Sequence, residues 1–261
     1  MASATPVEES ADAPVRAGRS LEQLRGLVGA VSPLVMAHER VIPVLDELVP
    51  LLPEGGLRRG STIALRGDGA CSLAVALATR TSQMGGWVVG LGLPDLGLTA
   101  ALEAGAALER WAFVDHPGDR AAEVLNALTA GVDLVITGPR VTMGSAHARR
   151  MTARLRERGT SVMGIDPGPG AGPRPDLTLE VTASRWTGIE WGHGRLRARR
   201  VEVVSSGRGA AARPRRLSVW LPGPHGKIEV IERVGFVTPS SGGSVEMVRD
   251  AGVLSPIRCA G

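Results

Sequence analysis

The residues whose types and spacing come nearest to a phosphate-handling site are Gly67, Asp68, Gly69, Ala70, Cys71 and Ser72. An apolar run, Ile63-Ala64-Leu65, leads into them and a small-residue segment leads out. Strand, glycine-rich turn and helix in that order let backbone N–H groups wrap a phosphate. A working turn of this kind reads G-x-x-x-x-G-K-[ST], the Lys reaching the β and γ phosphates and the hydroxyl holding Mg²⁺. With Gly69 as the last glycine, Ala70 stands at the Lys position and Cys71 at the hydroxyl position, and Ser72 falls one residue late. The shape is kept while both charge-handling groups are missing. Taken alone, the stretch reads equally as a strand-turn-helix corner with glycines supplying positive φ.

The elements around the turn decide how it is placed. After Gly85-Gly86 the chain predicts a strand over Trp87 to Leu91, a helix from about Leu98 to Glu109, and a strand over Trp111 to Val114. A helix from Asp119 to Ala130, a strand from Val132 to Thr137 and a helix from about Ala146 to Arg158 follow. Strands alternating with helices of this length imply an α/β fold, a mostly parallel sheet with helices on both faces. Beyond it, strands at Asp176 to Thr182, Gly188 to Trp191, Arg195 to Val204, Arg216 to Leu221 and Lys227 to Glu232 should extend the sheet in antiparallel hairpins. Val41 to Leu52 suits either a short helix or a strand-and-turn pairing.

The approach L-D-E-L-V-P-L-L-P-E-G-G-L-R-R-G-S-T-I-A-L-R-G (Leu45 to Gly67), with V-D-L-V-I-T (Val132 to Thr137) and A-R-R-M-T-A-R-L-R-E-R-G-T-S-V-M-G-I (Ala148 to Ile165), resembles a RecA-like P-loop core over roughly Val41 to Leu221. Within that superfamily the chain is most similar to the RecA-like accessory proteins of the actinobacterial mutagenic translesion polymerase system. The resemblance implies a Glu at the end of the second strand that orients the attacking water, a task needing a carboxylate within hydrogen-bond reach. Leu93 occupies that position, and Asp95, two residues on, reads better as a turn or helix N-cap residue. Thr137 and Gly138 stand where the Mg²⁺-linked Asp is expected, with Asp133 at the opposite end of its strand. Asp166 replaces a γ-phosphate-sensing Gln. Five joint departures imply a degenerate nucleotide site, hence no ATPase activity, no catalytic residues, no metal and no required cofactor, with nucleotide binding without hydrolysis left open.

The resemblance also implies partners: a Y-family-like polymerase homologue of the ImuB type and, through it, an error-prone DnaE-type polymerase and the sliding clamp. DNA and a second copy of the chain are further candidates. Two other functions stay open from the residues, an active RecA-family ATPase on single-stranded DNA and a simple Arg-rich nucleic-acid-binding module.

Among 30 Lys and Arg only Lys227 is a lysine, and the formal net charge is +4, a weak prior for nucleic acid because distribution outweighs the sum. The candidate DNA-binding residues are Arg195, Arg197, Arg199, Arg200, Arg215 and Arg216, a run nearly free of acids with Trp186 and Trp191 just before it. Arg149, Arg150, Arg154, Arg156 and Arg158 form a second cluster on the predicted helix, readable as a solvated face. By the resemblance, the two DNA-binding loops map to Gly138 to Ser145 and to the proline-stiffened Pro167 to Pro175.

Residues 1–19 read as disordered and residues 20–40 as a helix and linker, followed by the core at 41–236 and a flexible tail at 237–261. Ser20 to Gln23 forms a capping box that opens a short helix with Leu21, Leu24, Leu27 and Val28 on one side. That stripe is the candidate partner-binding surface, docking on another subunit or packing back on its own domain. Two distant cysteines, the lack of an apolar leader and the absence of a run of about 20 apolar residues point to a cytoplasmic protein without a membrane span.

Overall fold

The computed structural model describes residues 41–168, 172–190 and 193–234. The expectations for the Ser20 to Val28 helix, Trp191 and the tail lie outside these residues.

Strand β3 (Thr62–Arg66) is the centre of a nine-stranded sheet, and helix α1 (Ala70–Gln83) leaves its end. To one side lie β7 (Ser161–Ile165), β6 (Leu134–Thr137), β4 (Val88–Leu91) and β5 (Trp111–Val114); to the other lies β8 (Leu177–Glu190), and all of these pair in parallel. Past β8 the sheet turns antiparallel through β9 (His193–Gly207), β10 (Arg215–Trp220) and β11 (Glu229–Val234). A two-stranded ribbon, β1 (Val41–Ile42) with β2 (Leu57–Arg58), precedes β3. The order β11-β10-β9-β8-β3-β7-β6-β4-β5 is the expected RecA-like P-loop core, a mostly parallel sheet flanked by helices with antiparallel strands on the C-terminal side.

Two cores lie on opposite faces of the sheet. On one, α1 packs Leu73, Ala74, Leu77 and Ala78 against Ile63, Leu65, Val201, Leu217 and Val219. On the other, α3 (Ala121–Leu128) and α4 (Ser145–Arg158) bring Leu125, Met151 and Leu155 onto Val89, Val135 and Val162. Three layers follow because each strand of the parallel part is apolar on both sides. α1 is buried nearly all round, and its hydroxyls are satisfied internally, Thr79 Oγ1 donating to the Val75 carbonyl and Ser82 Oγ to that of Thr79. It ends in a Schellman closure, Gly86 N–H to Thr81 O and Gly85 N–H to Ser82 O, which needs Gly85 at φ 86°.

Several expected boundaries move. The helix begun at Leu98 stops at Glu103 (α2, Leu98–Glu103), because Gly105 at φ 90° turns the chain into a short 3₁₀ segment before β5. The two strands expected between Asp176 and Trp191 are one, β8, kept continuous by register shifts after Val181 and Thr187, with Gly188 at φ 91°. Val41 to Leu52 takes the strand-and-turn form, β1 followed by a 3₁₀ turn at Val49–Leu51.

Candidate functional site

The degenerate turn lies at the carboxyl end of β3, where Gly67 at φ 90° and Gly69 at φ 111° reverse the chain into α1. Both glycines are required. A Cβ on Gly67 would run into the Val181 carbonyl, and one on Gly69 would sit 3.2 Å from the Arg199 guanidinium carbon.

Arg199 is the residue that gives the site its character. It stands on β9 directly opposite Trp186 of β8, and its side chain reaches into the turn, only 6 % exposed. Nη2 donates to Ser72 Oγ at 2.6 Å, Nε donates to the Leu221 carbonyl at 2.9 Å, and Nη1 lies 3.9 Å from Asp68 Oδ1. The guanidinium is centred 5.0 Å over the Trp186 ring. Burial pushes its pKa below the ordinary arginine value, while the Asp68 charge and Cys71 pull it back up. An arginine keeps its proton throughout the neutral range, so a fixed cation fills the mouth of the turn.

Two carboxylates stand at the turn, one of them beside that cation. Asp166, at the end of β7 with φ 41°, accepts the Gly67 N–H on Oδ1 at 3.0 Å, and Asp68 faces Arg199. An amide that a phosphate-binding turn would present to its ligand is thereby taken by an acid. The remaining positions are equally closed. Ala70 is 2 % exposed, Leu93 is buried where a water-orienting carboxylate is expected, and Thr137 is buried with only a long contact, 3.4 Å, to the Met163 carbonyl. Gly138 passes so close to Gly92 that a Cβ would strike the Gly92 carbonyl.

Asp133 is structural, as its place in the strand suggests. It accepts Arg59 Nη1 at 2.8 Å and the Trp87 N–H at 3.0 Å, tying together the amino ends of β4 and β6. Asp95 sits in the exposed turn before α2, but the helix N-cap is Gly97 and has no side-chain cap, so the capping role is not taken. With Cys71, Leu93 and Arg140 it lines a crevice of about 20 Å³ beside the turn, space for one water. A larger apolar pocket of about 110 Å³ lies on the other flank of Cys71, between Val75, Ala100, Leu221 and Ile228.

The candidate DNA-binding run is dispersed. Arg195, Arg197, Arg200 and Arg216 are exposed, but Arg199 is inside and Arg215 donates from Nη1 to the Leu52 carbonyl at 2.7 Å. Expecting six arginines on one surface is therefore corrected for these two. The register also brings in an acid from outside the linear run, since Arg200 pairs across to Trp220 and onward to Glu229, while Glu202 of the run itself lies opposite Ser218. The inward course of Arg199 had one sequence signal: with Val201, Val203 and Ser205 it falls on the period-two face that packs against α1.

Among the described residues no group of three or more His, Cys, Asp or Glu converges as a metal site, and no helix is long and apolar enough to cross a membrane.

Comparison with known proteins places this geometry. A family described as the MT3502 N-terminal domain matches residues 50–170, the span from the approach to β3 through the end of β7. The uncharacterized protein Rv3395c of Mycobacterium tuberculosis is 35 % identical over 149 residues, covering 54 % of this chain and 72 % of that protein. The chain belongs to the family of Rv3395c.

Proposed function

We propose that the protein is a non-catalytic RecA-fold adaptor of the ImuA-prime type, supporting SOS-induced mutagenic translesion synthesis through protein–protein contact with a Y-family-like polymerase homologue. The observation that carries this reading is Arg199. Its guanidinium lies where a nucleotide's phosphates would have to enter, held by Ser72 and the Leu221 carbonyl. Phosphoryl transfer relies almost wholly on positioned charge around the phosphates and metal. Here Ala70 and Cys71 supply none of it, and Asp68 and Asp166 add repulsion for an anion. Family membership beside a mycobacterial relative fits an actinobacterial accessory protein.

The test has two arms. The purified protein is mixed with ATP and Mg²⁺, with and without single-stranded DNA, and no turnover above background is expected. In parallel the tagged protein is recovered from its native host after DNA damage, and the Y-family-like homologue should co-purify. RecA-like turnover would end the non-catalytic reading, and recovery without that partner in repeated preparations would end the adaptor reading.

A further inference from the structure

We propose that the flank of α4 facing α3 is a binding surface for the phosphodiester backbone of duplex DNA. It lies on the opposite face of the sheet from the degenerate turn and does not depend on the adaptor reading.

His147, Arg150, Arg154 and Arg158 occur at positions i, i+3, i+7 and i+11 of α4, which puts all four along one side of the helix. At 1.5 Å per residue they are spaced about 5.5 Å apart along the axis. All four are exposed, while Ala148, Met151 and Leu155 anchor the other side in the core. Across a groove of about 220 Å³ stand Asn126 and Glu123 of α3. Arg154 Nη1 donates to Asn126 Oδ1, which aims that guanidinium along the groove. Glu123 is engaged by Arg120 Nε at 3.0 Å, so its charge is offset.

Three features distinguish this flank from an ordinary solvated helix face. The helix carries five Arg against one acid, Glu157, so the intrahelical ion pairs that usually balance a charged helix are missing. Arg150 and Arg158 make no ion pair among the described residues. The first turn contains no acid, leaving the positive end of the helix dipole unopposed and adding to the field of the side chains. A duplex presents one negative charge per about 1.7 Å of its axis and is bound through such rows without reading sequence. The groove is lined by no Phe, Tyr or Trp on which single-strand bases could stack. The arginines of β9 and β10, by comparison, share their sheet with Glu202 of β9 and Glu229 of β11.

The experiment follows a fluorescent duplex by anisotropy with the full chain, comparing wild type with Arg150→Ser/Arg158→Ser and with a ribbon variant, Arg197→Ser/Arg200→Ser. If about three phosphates are engaged, wild-type affinity should fall about 40-fold between 50 and 200 mM salt. The α4 variant should bind more weakly at 50 mM and lose only about 4-fold over the same range, with its melting temperature unchanged because both positions are exposed. The ribbon variant should behave as wild type. Absence of wild-type duplex binding at 50 mM salt would overturn the proposal, as would loss of binding in the ribbon variant with the α4 variant intact. A single strand held much more tightly than the duplex, or poly-glutamate bound as well as the duplex, would overturn it too, pointing to stacking or to an acidic protein surface.

Discussion

Asp166 accepts the Gly67 N–H at 3.0 Å, bridging the end of β7 to the turn after β3 across 99 residues of sequence. The contact explains how a glycine-rich turn shaped for phosphate stays ordered without one: a carboxylate from its own chain stands in for the ligand at that amide. Asp166 holds φ at 41°, a conformation that Asp and Asn tolerate better than other non-glycine residues. Asp166→Asn keeps an acceptor and the tolerance for that backbone, so thermal melting should stay close to wild type. Asp166→Ala loses both, and should cost about 1–2 kcal/mol by denaturant unfolding.

Restoring the missing lysine should harm the protein rather than activate it. Ala70 is 2 % exposed and lies beside the Arg199 guanidinium's binding partner Ser72, so Ala70→Lys would force an ammonium into packed space near an existing cation. The expected result is a loss of about 2 kcal/mol or more with ATPase still at background. A variant with undiminished stability and measurable turnover would contradict the idea that Arg199 has replaced the lysine's place.

The Arg199–Ser72 bond can be weighed by a double-mutant cycle with Arg199→Met and Ser72→Ala. Methionine keeps most of the aliphatic stem while removing the buried guanidinium that stands over Trp186. A direct bond of 2.6 Å predicts a coupling of roughly 0.5–3 kcal/mol in unfolding free energy. Additive effects would mean that the guanidinium is held by the Leu221 carbonyl and Trp186 alone.

What the sequence made legible follows from local periodicity, and what it hid follows from register. Trp111 to Val114 forms the strand expected of it, and the helix read from about Ala146 to Arg158 starts one residue earlier, at Ser145. These segments have clear apolar spacing between turn residues, and alternation along the chain was enough to infer the parallel sheet. Asp133 was legible as lying at the amino end of its strand, because its position before the apolar run fixes the end of the sheet it occupies. The strand, glycine turn and helix from Thr62 to Gln83 were legible too, since Gly67 and Gly69 mark the turn in the sequence itself. The inward course of Arg199 had its period-two signal, but its partners were hidden: Ser72 is 127 residues away, and the bulge after Val181 sets which β8 residue faces it. Glu229, reached from Arg200 through Trp220, was hidden for the same reason, as cross-strand neighbours appear only once the pairing is known. The α4 row was visible as a cluster, but its groove against α3 requires the packing of two helices over the sheet.

The end of β6 yields the last prediction. Gly138 follows Thr137 at the carboxyl end of that strand, where a metal-linked acid would stand in an active relative of this fold. Its N–H donates to the Leu91 carbonyl at 2.9 Å, drawing the two chain segments together until the Gly92 carbonyl fills the space of a Cβ, with Leu93 Cδ2 3.2 Å from the same point. The obstacle is backbone, so it cannot rotate away as a side chain could. Gly138→Ala should therefore cost about 2–3 kcal/mol, with the loss seen as an earlier denaturant midpoint and little change in the slope. Thr137→Asp should be at least as harmful, since Thr137 is buried and no cation among its described contacts would compensate the new charge. If either variant folded with wild-type stability, the close approach of the two loops would not be what bars an acid from this strand end.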